Sequence, residues 1–187
     1  MRGDASGGYP PPVRALLLAA VLRAAPGPAG APDPAEARRE AIARELIRLG
    51  SDLRRELEAA DAAAIAARVP PEGLRCAGRL VPRRHVMEAL SGGGTWLHGI
   101  LFGGPGYAPP PGEAPSVRDF LVRGGRDVEV AVGFVPDARA SPVGRPCLQF
   151  RPARGRPAHG GPPPELPFCF ERRGERWVLT ESLFPCG

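Results

Sequence analysis

The sequence predicts an α+β domain in which a long N-terminal helix packs against a curved antiparallel sheet of four to five strands. Three observations predict it. From Glu36 to Val69, apolar residues recur at spacings of three and four, which keeps one face of a 3.6-residue helix apolar. From Val128 onward the period falls to two, as in half-buried strands. The 187 residues suit one ordinary domain, residues 32–187, preceded by an extension.

The helical stripe runs through Ile42, Leu46, Leu49, Leu53 and Leu57 to Ala60, Ala64 and Ile65. Five buried Leu or Ile side chains at about 1.5–3 kcal/mol each give roughly 10 kcal/mol gross, most of it offset by the entropy of ordering the chain. Glu40 with Arg44 and Arg54 with Glu58 form i,i+4 pairs on the opposite face. Asp61 interrupts the alanine run as the cap of a second short helix over residues 62–68, so a break is expected near Ala60.

Beyond this stretch, residues 73–78 read as a short strand and Pro82 opens a helix through Leu90, with Val86, Leu90 and Met87 facing inward. Ser91-Gly92-Gly93-Gly94 stops it. The cluster Trp96, Leu97, Ile100, Leu101 and Phe102 predicts a short buried helix against the long one. Ser116 and Asp119 form a capping-box-like start to a helix over residues 117–123, which Gly124-Gly125 ends. Strands are expected over residues 128–134, 147–151, 166–172 and 176–183, with a hairpin turn at Arg173-Gly174-Glu175. Residues 103–115 and 152–164 are Pro/Gly-rich and are expected to be disordered loops.

Residues 1–31 have the order of a secretory signal peptide. Arg14 precedes the apolar run Ala15–Leu22, and the small-residue triplet Ala29-Gly30-Ala31 follows. Eight apolar residues are too few for a bilayer span, which needs about 20. Arg2-Gly3-Asp4 matches the integrin tripeptide by coincidence. The polar extension before Val13 suggests a non-native N-terminus, with translation starting at Val13. The four cysteines, Cys76, Cys147, Cys169 and Cys186, form no C-x-x-C pair. Two disulfides are therefore expected, Cys147 with Cys169 in neighbouring strands and Cys76 with Cys186, which implies an oxidising compartment. The protein is expected to be exported, periplasmic or secreted, with no transmembrane span after cleavage.

The net charge of +5 is carried by 25 arginines, with no lysine and no asparagine in the chain. Together with abundant Ala, Gly and Pro, this is the composition of a GC-rich genome such as that of a GC-rich bacterium, so the charge is weak evidence for nucleic acid. Without lysine, a Walker A loop and Schiff-base catalysis are excluded; without asparagine, so is N-glycosylation. H-x-H, H-E-x-x-H and G-x-S-x-G are absent, and no metal or cofactor is implied.

The candidate catalytic residues are His98, in the apolar cluster, and Asp119, at a helix start. Each has a structural reading as well, as a packed histidine and a capping carboxylate. His85 reads as part of a charged face beside Arg83 and Arg84, and His159 has no evident partner. Arg151, Arg154 and Arg156, with Arg172, Arg173 and Arg176, form a candidate patch for anionic polymers. Aromatic residues for base stacking are sparse there.

The order of elements, together with the junction Leu57-Glu-Ala-Ala-Asp61-Ala-Ala-Ala-Ile65, resembles the NTF2-like superfamily. In that group a curved sheet wraps a long helix to form a cone with a pocket; cystatin-like rolls share much of the same order. The resemblance spans about residues 36–184. It implies a concave site but names no reaction, because the group includes isomerases, cyclases and binding domains. The function expected is that of a non-enzymatic, disulfide-stabilised domain that binds a small ligand or a protein partner in a concave sheet pocket. The alternatives are a small isomerase or cyclase using His98 and Asp119, and a binder of anionic polymers.

Overall fold

The computed structural model describes residues 33–136, 143–154 and 166–182. Helix α1 (Pro34–Glu58) begins where Asp33 accepts a hydrogen bond from the Ala35 amide at 2.9 Å and Pro34 occupies the first turn. It breaks where the sequence places the break. Ala60 takes a positive φ of 54°, and the Asp61 side chain caps α2 (Ala62–Ala67) by accepting from the Ala64 amide at 2.9 Å. The predicted i,i+4 pairs Glu40–Arg44 and Arg54–Glu58 both form. Arg54 also donates to the carbonyls of Val128 and Gly125, which ties the end of α1 to the start of the sheet.

Strands β1 (Leu74–Cys76) and β2 (Arg79–Val81) follow, then α3 (Arg83–Ser91), α4 (Trp96–Phe102) and α5 (Val117–Gly124). A 3-10 turn (Gly125–Asp127) leads into β3 (Val128–Val135), β4 (Arg145–Pro152), β5 (Phe168–Arg173) and β6 (Arg176–Ser182). Thr95 caps α4 and Ser116 caps α5, each side chain accepting from the amide three residues on. Residues 103–115 contain no helix or strand, yet Ala114 is fully buried and Tyr107 meets Trp96 edge to face with ring centroids 6.0 Å apart.

The six strands form one open sheet in the order β2-β1-β6-β5-β4-β3. It is mixed: β1 runs parallel to β6, and the remaining neighbours are antiparallel. This extends the expected antiparallel sheet of four to five strands by β2 and by one parallel pairing. β3 and β4 are in register over their full length from Val128↔Pro152 to Val135↔Arg145. By contrast, β4 and β5 are joined only through Cys147↔Cys169 and Leu148↔Phe168. The disulfide Cys147–Cys169 lies in that narrow seam, as the strand positions of the two cysteines predict. Cys76 is disulfide-bonded as well; its expected partner, Cys186, lies outside the described residues, as do the leader and His159.

Helix α1 crosses one face of the sheet. Leu46, Leu53 and Leu57 are fully buried, and Ile42 and Leu49 pack at the margin of the same core. The cover over this stripe differs from expectation. α1 packs on β3, β4 and α5, whereas the apolar helix α4 packs on α3 and α5. Met87 is another correction: it is exposed, and Ala89, three residues after Val86 on the α3 face, is buried instead.

Gly50 sets how closely α1 approaches β3. A Cβ at this position would stand 2.5 Å from Cγ1 of Val130. Gly50→Ala improves helix propensity by about 1 kcal/mol, but the overlap with a stiff β-branched side chain outweighs it. A net loss of about 1–3 kcal/mol is expected in urea unfolding. In a Val130→Ala background the same substitution should be close to neutral. Destabilisation of equal size in both backgrounds would place the obstruction elsewhere.

Candidate functional site

The two candidate catalytic residues lie on different helices. His98, on α4, directs Nδ1 to the Leu90 carbonyl oxygen at 2.7 Å. A carbonyl only accepts, so Nδ1 carries the proton and the ring is anchored to the end of α3. Its other face meets Phe102, with centroids 5.1 Å apart. Asp119, on α5, donates its amide to Ser116 Oγ at 3.0 Å, so the cap is the Ser116 hydroxyl. Its Oδ2 lies 3.0 Å from Arg123 Nε, an ion pair by distance whose alignment falls short of a hydrogen bond. Asp119 lines a small cavity of about 190 Å³ with Phe102, Ser116 and Val122; His98 is not in its wall. Among the described residues, no contact brings His98 and Asp119 together.

Three arginines of the six-residue patch are paired with carboxylates. Arg151 pairs with Glu129 at 2.8 Å and Arg172 with Glu45 at 3.3 Å, and Arg173 pairs with Glu72 and Glu171. Arg154 and Arg176 are exposed, and Arg156 lies outside the described residues. The Arg173 hydrogen bond holds the Glu72 carboxyl below the usual carboxylate range. Burial, reinforced by the negative charge of Glu113, raises the Tyr107 hydroxyl above its ordinary value.

A larger cavity, about 680 Å³, lies where the first turns of α1 meet the β5–β6 hairpin. Arg38 and Ile42 enter from α1, Arg172 and Trp177 from the hairpin, and Arg145 from the start of β4. Arg75 of β1 and Leu80 of β2 complete the far side. Two features of the fold build this site. The parallel β1–β6 pairing, with Arg75 opposite Glu181, carries the β1–β2 hairpin to the edge of β6. A register shift between Cys169 and Phe170 leaves Thr180 without a partner across the strand pair, and Thr180 lines the cavity.

The polar groups around the cavity are held in place by one another. Glu45 accepts from Trp177 Nε1 at 2.9 Å and from Arg172, which fixes the indole at the wall. Arg145 and the buried Glu181 form an ion pair deeper in. Five arginines face three glutamates in the lining, so the site is electropositive. The sequence points to the hairpin arginines but singles out no role for Trp177. Nor does it point to Arg38, which enters from α1, or to Arg75 and Leu80, which the strand order brings to the site.

Among the described residues, no helix is long and apolar enough to cross a membrane, and no group of three or more His, Cys, Asp or Glu side chains is placed to hold a metal ion. Comparison with protein-family models, curated proteins and solved structures found no match.

Proposed function

We propose that the protein is an exported, disulfide-stabilised binding domain whose small-molecule ligand enters the cavity between α1 and the β5–β6 hairpin. The observation that carries this reading is the cavity itself. Its volume, about 680 Å³, falls within the roughly 300–1,000 Å³ typical of small-molecule sites. Its wall combines apolar side chains, Ile42, Leu80 and Trp177 among them, with oriented charged groups, and is more polar than most such sites. Export is supported by the disulfide-bonded cysteines and by the leader-like order of residues 14–31.

Binding is favoured over catalysis because the carboxylates of the cavity are engaged by arginines rather than poised beside a proton donor or acceptor. His98 and Asp119 belong to other parts of the molecule.

The chain has two tryptophans, Trp96 and Trp177, so a Trp96→Phe variant leaves Trp177 as the only indole, at the cavity wall. Titration of that variant with small organic probes of negative, neutral and positive charge should show saturable change in emission for at least one class, with a matching rise in thermal transition temperature. Flat titrations for every class would overturn the binding reading.

A further inference from the structure

Building on the binding reading, we infer that the ligand is an anionic amphiphile, a molecule with a carboxylate or phosphate head and an apolar tail. The head is taken by Arg38 and Arg75. The other three cavity arginines already have carboxylate partners: Arg145 pairs with Glu181, Arg172 with Glu45, and Arg173 with Glu72 and Glu171. Among the described residues, no carboxylate pairs with Arg38, and Arg75 makes only a 3.4 Å contact to its own turn at the Gly78 carbonyl. Both residues line the cavity, Arg38 from α1 and Arg75 from β1, and neither has a carboxylate partner among the described residues to compete with an incoming oxyanion. Guanidinium forks match carboxylate and phosphate oxygens in pairs.

The tail has its own surface. Ile42 and Trp177 line the wall at the edge of the core, and Leu80 stands in it with 56% of its surface exposed. A single exposed leucine is ordinary on a protein surface. Here it lines the same cavity as an indole whose N–H is satisfied by Glu45, so what the ring offers a ligand is apolar contact. A small hydrophilic anion would leave this surface wet, and a neutral or cationic amphiphile would leave Arg38 and Arg75 without counter-charge.

The test uses the Trp96→Phe protein and probes kept below their micellar concentrations: dodecanoate, dodecyl phosphate, dodecyltrimethylammonium, octyl glucoside and citrate. Dodecanoate, dodecyl phosphate or both should change Trp177 emission saturably, and the stronger of the two identifies the head group. Arg38→Glu combined with Arg75→Glu should weaken that binding by about tenfold or more, with the thermal transition of the free protein unchanged because both side chains are exposed. If this double variant fails to fold, Arg75→Gln alone should give a smaller loss in the same direction. Leu80→Gln should weaken the alkyl probes. Equal binding of the cationic or neutral amphiphile, or of citrate, would overturn the inference while leaving a ligand-binding cavity. No response to any probe would overturn both readings.

Discussion

Replacing Leu53 by alanine should lower the unfolding free energy by about 2–5 kcal/mol. Leu53 lies in the last two turns of α1 and is fully buried, with Leu46 and Leu57 on the same face. Gly50, one turn earlier, brings the helix close to β3, and Arg54 ties the next residue to the Val128 carbonyl. The surroundings are thus held from both sides and will not close around the space left by the lost side chain, which is the condition for the upper part of that range. Val122, 58% exposed on α5, is the control, and its replacement by alanine should change stability by no more than about 0.5 kcal/mol. Equilibrium urea unfolding measures both. A loss below about 1 kcal/mol for Leu53→Ala would mean that α1 is not the element on which the core is built.

Removing the Cys147–Cys169 bridge by replacing both residues with alanine should cost about 3 kcal/mol on chain-entropy grounds, for a separation of 22 residues. The topology adds a local consequence. The β3–β4 and β5–β6 hairpins are each paired along most of their length, whereas the seam between them has two residue pairs. Hydrogen exchange in the double variant should therefore accelerate first at Cys147→Ala, Leu148 and their β5 partners, while the amides within each hairpin remain protected. Uniform acceleration across the sheet would show that the bridge acts only through the unfolded chain.

These two elements mark how far the sequence was legible. The α1 stripe can be read because its contacts are dictated by a local period, and the break at Ala60 because Asp61 carries its own capping chemistry. The strands after Val128 announce themselves by alternation, and the two strand cysteines by their positions. What could not be read is non-local. β2 is three residues, Arg-Leu-Val, with exposed or half-buried side chains, and such a segment has no periodic signal. The parallel β1–β6 contact joins residues more than 100 positions apart. The cavity inherits this difficulty, since Arg38, Arg75, Arg145 and Trp177 have no common motif. The placement of α4 away from α1 has a related cause: an apolar cluster declares that it is buried, not what buries it.

The strand order also governs the sequence of events in folding. β6, the last in chain order of the six described strands, is not an edge strand; it lies between β1 and β5. The β1–β2 hairpin, made some 100 residues earlier, has no sheet to join until residues 176–182 arrive. A two-stranded hairpin is at best marginally stable alone, and pairing across so long a loop is slow. The folding chain must therefore hold its β1–β2 hairpin and the apolar face of α1 in waiting, and pairing of one seven-residue strand joins the two parts of the sheet in a single step.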